Sequence, residues 1–307
     1  MEGLKTPLQL RLEHAGWVLE LSPETGGVIT RCTYKGVDVL RPATEKWHRS
    51  FDPMQSSCFA LFPYSNRIAN GTFSFEGETH HIDANFPGIK HPLHGTAWLG
   101  FWEVHQPSKS VCELTYTQFK DVGAWPYPFE ARQRFQIKNG ALHVQLSIQN
   151  TGDTPMPAGM GWHPYFPLAR DVARDKSNAH LKFNAKGVWL SDHESLPQTW
   201  VGLPSKWDFS NGLPVEGTQL DHCFGGWDGK VRMSWPDSAF ALEMRADPAM
   251  THVVVYTEEA DSFCFEPASH MNDAINRMDT NIETGFRVLA PGETFTSTLV
   301  LDVKPTS

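Results

Sequence analysis

Phe129-Glu130-Ala131-Arg132-Gln133-Arg134-Phe135-Gln136-Ile137 runs into an Asn139-Gly140 dipeptide, and Leu142-His143-Val144-Gln145-Leu146-Ser147-Ile148-Gln149 follows. In the second arm Leu142, Val144, Leu146 and Ile148 face one way, and His143, Gln145, Ser147 and Gln149 face the other. A period of two is the mark of a strand with one buried face. Asn-Gly supplies the two left-handed residues that a tight hairpin turn needs. This stretch therefore predicts an antiparallel hairpin with one apolar side.

The same design repeats outward from it. Leu8, Leu10 and Leu12 alternate with polar residues, and Ala15-Gly16 turns the chain into Trp17–Leu21. Val28–Tyr34, a Lys35-Gly36 turn and Val37–Leu40 follow, and Thr72–Phe75 and Thr79–Ile82 flank Glu76-Gly77-Glu78. Later strands are predicted over Lys230–Trp235, Phe240–Arg245, His252–Thr257, Ser262–Glu266 and Thr294–Val303. Helical periodicity is nearly absent, with one short helix expected near His270–Arg277. No linker, charge block or fixed-period repeat divides the 307 residues. The expectation is all-β: one large antiparallel β-sandwich domain over 1–307, with very little helix and with function in its loops.

Composition narrows the function. A net charge of −9 argues against nucleic acid, whose phosphates call for basic stripes. No stretch approaches the ~20 apolar residues of a membrane span, and the first residues lack the apolar core of a signal peptide. Five scattered cysteines with no C-x-x-C spacing make a disulfide framework or a cysteine-built zinc site unexpected, and reduced thiols fit a cytoplasmic protein. The 14 histidines show no H-x-x-x-H pair on a helix, so no metal is expected. The 11 Trp and 19 Phe suit pleated sheets and could also stack on sugar faces.

Irregular stretches break the alternation and hold the candidate functional residues. Arg67, between apolar residues and just before Gly71, is either an ion-pair partner or a fork for ligand oxygens. His94 is followed by Gly95, which lets the backbone approach something closely, and Trp98 could wall a pocket. In Gly159-Met160-Gly161-Trp162-His163-Pro164-Tyr165-Phe166 the glycines and proline specify the backbone around His163 tightly. Pro164 and Pro167 argue for a loop or strand end rather than a central strand. His163 is either a proton donor near neutrality or a buried structural histidine. Glu266 ends an apolar run, so its basicity should be raised by desolvation. Asp221 either accepts from ligand hydroxyls or starts a turn, and Asp273 is expected to cap the short helix.

Taken in order, Asn66-Arg67-Ile68-Ala69-Asn70-Gly71, Leu93-His94-Gly95, His163-Pro164-Tyr165-Phe166, Asp221-His222-Cys223-Phe224 and Glu266-Pro267 resemble the aldose 1-epimerase family, the galactose mutarotases. The resemblance implies a single large β-sandwich and interconversion of the α and β anomers of a free hexose. It implies Glu266 as general base, His163 as general acid, and Arg67, His94 and Asp221 as substrate-binding residues. It implies no metal, no cofactor and no covalent intermediate, a small sugar as partner, and a monomer or homodimer. Pro167 stands where the family commonly has Asn. Ala268–Asn272 and Trp207 also depart from galactose-preferring members, which leaves the sugar open. A hexose-6-phosphate 1-epimerase would need a basic cluster, for which Arg41, Arg49, Arg170, Arg174 and Arg277 are available. A non-catalytic sugar-binding domain would keep the pocket without using the proton transfer. Glycoside hydrolysis would ordinarily need two carboxylates flanking the bond.

Overall fold

The computed structural model describes residues 7–120, 125–169, 179–236, 238–278 and 282–306. Arg170 and Arg174 lie outside the described residues. The Asn-Gly hairpin forms as expected, with Phe129–Lys138 paired to Ala141–Asn150 from Lys138↔Ala141 outward. Asn139 and Gly140 take φ of 52° and 77°, the left-handed pair that matches strand twist. Leu142, Val144, Leu146 and Ile148 are all fully buried, so the period of two read from sequence is the burial pattern.

This hairpin lies in a nine-stranded sheet ordered Leu213–Pro214, His180–Phe183, Lys230–Ser234, Phe240–Ala246, Thr294–Pro305, Ala141–Asn150, Phe129–Lys138, Val111–Gln118, Glu103–Ser108. The larger, eleven-stranded sheet is ordered Leu10–His14, Trp17–Ser22, Val28–Tyr34, Cys58–Leu61, Gly161–Pro167, Ser262–Ala268, His252–Tyr256, Asp221–Gly225, Gly187–Ser191, Pro197–Val201, with Val37–Asp38 beside Val28–Tyr34. Ladders between these strands are antiparallel throughout, and the main core lies between the two sheets.

Alternation divides the central strands of the larger sheet into two faces. Ala60, Trp162, Phe166, Phe224, Val253, Val255, Phe263 and Phe265 join the main core with Leu142, Val144, Leu299 and Leu301 of the other sheet. Truncating one of these aromatics to alanine would cost about 3–5 kcal/mol. The intervening residues face away from the core. They enter two smaller clusters, one with Phe59, Leu61, Tyr165 and Cys264, the other with Trp189, Cys223 and Val254. Both are covered by loops.

Two sequence expectations are corrected. The segment holding His163 is an inner strand, Gly161–Pro167, between Cys58–Leu61 and Ser262–Ala268, and not a loop or strand end. It tolerates Pro164 because the ladder to Ser262–Ala268 pairs Gly161 with Ala268 and resumes only at Tyr165 with Cys264. The missing N–H falls in that gap. The expected helix near His270–Arg277 is only a 3₁₀ turn, Ala274–Arg277.

Candidate active site

Register places the two central groups. Gly161 pairs with Ala268 and Tyr165 with Cys264, so His163 and Glu266 lie midway between those pairs, opposite each other and on the same face. The row continues to Phe59 on one side and to Val254, Cys223 and Trp189 on the other. The adjacent row is Tyr165, Cys264, Tyr256, Asp221. The face opposite the core thus brings together His163, Glu266 and Asp221.

His163 Nε2 lies 3.4 Å from Glu266 Oε1, with both side chains buried. The imidazole stacks on Phe59 at 4.5 Å between ring centroids and tilts against Tyr165 at 4.9 Å. Burial pushes its pKa down to about 3, with the Arg41 cation adding to the shift. Burial pushes Glu266 well above the ordinary carboxylate range; Asp221 adds to this and Arg67 opposes it. Burial therefore disfavours the charged form of both partners, the carboxylate and the imidazolium alike. His163 Nδ1 is buried without a hydrogen-bond partner.

Arg67 and His94 come from loops that cover this face, and side chains hold those loops. The N–H of Ser65 donates to His270 Nε2, that of Asn66 to His94 Nδ1, that of Ala69 to Asp273 Oδ1 and that of Asn70 to His91 Nδ1, all at 2.9–3.0 Å. A segment whose only pairing among the described residues is the isolated bridge Arg67↔Leu93 must find side-chain acceptors for its other donors if it is to be buried. The bond from Asn66 fixes the tautomer of His94: Nδ1 accepts, so Nε2 carries the hydrogen. The His94 ring lies edge-on to His163 at 5.2 Å. Burial, His163 and Arg67 hold its pKa well below the ordinary value. Arg67 is half-buried, donates to Asn66 Oδ1 and has no ion-pair partner among the described residues. Asp221 opens the strand Asp221–Gly225 and accepts from Ser195 Oγ at 2.8 Å.

All five sequence-predicted residues therefore converge on one face. Several neighbouring expectations change. Asp273 does not cap the 3₁₀ turn; its carboxylate takes the N–H of Ala69 and the amide of Asn276. Trp98 is fully buried behind Phe59, stacked at 5.3 Å, and does not wall the cleft. Gly95 does make the close approach its position suggested. A Cβ there would stand 2.0 Å from the Phe62 carbonyl oxygen, and its φ is +75°. Sequence reading missed His91, His270, Ser195 and Cys264, whose places depend on long-range register. Arg41 is buried, donates to the Ser56 carbonyl and lies 4.2 Å over the Tyr165 ring.

An antiparallel sandwich with this arrangement of sheets has the fold of the galactose mutarotase-like proteins. One of these, from Clostridium acetobutylicum, superimposes with a TM-score of 0.85 over 97% of this chain and 95% of its own, at 19% identity. A family model for aldose 1-epimerase matches residues 9–302, and the chain belongs to that family. It is 30% identical over 303 residues to the uncharacterized protein YphB of Escherichia coli (strain K12), covering 95% of this chain and 98% of the other. A solved structure from Escherichia coli K12, of a candidate aldose 1-epimerase, gives a TM-score of 0.85 at 29% identity, with 97% and 99% of the two chains covered.

Proposed function

We propose that the protein is an aldose 1-epimerase that opens and recloses the ring of a free hexose, using Glu266 and His163 as its proton-transfer pair. The observation that carries this reading is the 3.4 Å approach of His163 Nε2 to Glu266 Oε1 on a buried face ringed by Arg67, His94 and Asp221. One dissociable proton is shared by the pair. In its reactive tautomer Glu266 is ionised and His163 protonated. The carboxylate takes the proton of the anomeric hydroxyl, the C1–O1 bond becomes a carbonyl, the C1–O5 bond breaks, and His163 delivers its proton to O5.

The pair is then Glu266-H and neutral His163, with unchanged net charge. Burial favours that state for both groups, so the environment lowers the energy of the open-chain stage relative to the ion-pair tautomer that starts the reaction. Rotation about C1–C2 presents the other carbonyl face, and the reverse transfers close the ring. His94 Nε2–H is free to donate to an oxygen, while Arg67 and Asp221 offer a cationic fork and an acceptor for hydroxyls. Two of the arginines considered for a 6-phosphate are engaged elsewhere: Arg277 with Asp273 and the Pro197 carbonyl, and Arg41 buried with its guanidinium over the Tyr165 ring.

Polarimetry on freshly dissolved α-glucose and α-galactose tests the assignment. Wild type accelerates mutarotation of at least one aldose, and Glu266→Gln or His163→Asn each loses ~10²-fold or more, the usual consequence of removing a general acid or base. An active wild type left untouched by both changes would remove these residues from the mechanism.

A further inference from the structure

Cys264 has no part in the chemistry above, yet it stands beside the residues that do. It precedes Glu266 by two positions on the same strand, so its side chain leaves the sheet on the same face. The ligand atoms of His163, Cys264 and Glu266, one each, all lie within 4.8 Å of one another, and all three residues are buried. No other trio of histidine, cysteine and carboxylate side chains comes together in this way among the described residues. The thiols of Cys58, Cys112 and Cys223 each point at a backbone carbonyl, whereas the Cys264 sulfur makes no hydrogen bond among the described residues.

We propose that His163 Nε2, Cys264 Sγ and Glu266 Oε1 form a three-ligand site for a thiophilic divalent cation, with Zn²⁺ and Cd²⁺ as its natural probes. The geometry fits. Bonds of about 2.0–2.1 Å to nitrogen and oxygen at tetrahedral angles put those two atoms roughly 3.3 Å apart, and they already stand 3.4 Å apart. The sulfur has to close by about 1 Å to reach its own bonding distance, within the reach of a rotation about Cα–Cβ. On binding, the thiol gives up its proton, and a carboxyl proton leaves with it. A thiolate with imidazole selects zinc-like ions over magnesium or calcium, which prefer oxygen donors.

The fourth position faces the cleft and takes water or a sugar oxygen. His163 Nδ1 has no partner to orient the ring. A missing second-shell contact of that kind weakens a metal site by ~10–100-fold. The ion is therefore exchangeable rather than resident. Because it occupies both halves of the proton-transfer pair, it inhibits, and this inhibitory consequence rests on the epimerase reading.

The full chain, stripped with a chelator and kept in a thiol-free reductant, is titrated with Cd²⁺ while the thiolate-to-metal charge-transfer absorption is followed, and mutarotation is followed with Zn²⁺. Wild type develops the absorption at one equivalent and loses ~10²-fold of its activity, recovered on adding chelator; Mg²⁺ does neither. Cys264→Ala and the bulkier Cys264→Val retain mutarotation without metal, show no charge-transfer band and resist Zn²⁺. Folded wild type without the band, or a Cys264→Ala variant as sensitive to Zn²⁺ as wild type, overturns the site. A band in a protein that accelerates no aldose would keep the metal site and sink the epimerase reading.

Discussion

In the mechanism proposed above Glu266 and His163 share a proton, and because their surroundings push the two groups in opposite directions the pair's titration is a readout of its neighbours. With His163 held at about 3 and Glu266 raised above the ordinary carboxylate range, the one-proton state ends on its alkaline side where the carboxyl loses its proton. The active form is a tautomer of that state, so activity falls on the alkaline side as the shared proton is lost; the two apparent values belong to the pair and not to either residue. Asp221 raises Glu266 by repulsion and Arg67 lowers it by attraction. Removing either charge therefore shifts the limb in opposite directions. Asp221→Asn moves the alkaline limb of kcat/KM to lower pH, and Arg67→Met moves it to higher pH, beside whatever each loses in sugar binding. A pH profile of both variants checks this. Limbs that move together, or stay put, would mean that another group titrates.

At the scale of elements, the site depends on how a non-repetitive segment is held against an inner strand. Ser65–Gly71 carries Arg67, and the N–H groups of Ser65, Asn66, Ala69 and Asn70 are taken by side chains from other parts of the chain. Asp273→Ala removes the acceptor for Ala69 and the partner of Asn276. An orphaned buried donor costs about 1–3 kcal/mol, so the melting temperature drops. KM rises more than kcat falls, because Arg67 is displaced while the acid–base pair is not. Thermal denaturation with sugar kinetics separates this from plain destabilisation, in which KM would be unchanged at a permissive temperature. This segment also shows what sequence could not convey. Alternation exposed the hairpin at Asn139-Gly140, because its partners are neighbours in the chain. Gly161–Pro167 read as a loop because prolines seldom sit inside sheets, and only the partner strand a hundred residues on reveals the gap in pairing that admits Pro164. His91 and His270 look like any other histidines until register brings Asn70 and Ser65 to them.

For the whole molecule, the division of the larger sheet into an apolar face and a functional face was half legible. Ser262-Phe263-Cys264-Phe265-Glu266 alternates visibly, but which side meets the other sheet is set by the sandwich. Putting polar groups on the covered outer face has a general consequence for stability. His94, His163, His252 and His270 are all buried, with pKa values held below 6.5, to about 3 for His163 and His270 and about 4 for His252. Above 6.5 these groups are neutral whether the chain is folded or not. As pH falls below 6.5 the unfolded chain binds protons that the folded one refuses, and the balance shifts toward unfolding. Glu266 and Asp273, raised by burial, act the other way, because the folded chain binds their protons first. Four groups against two leave the histidines dominant, and the melting temperature should decline steadily from pH 6.5 to 4. His252 lies outside the proton-transfer pair, so His252→Gln should flatten that decline while wild type and variant converge above pH 6.5. Melting curves across this range decide the matter: a flat wild-type profile, or a variant as acid-sensitive as wild type, would show that the buried imidazoles are not what acid attacks.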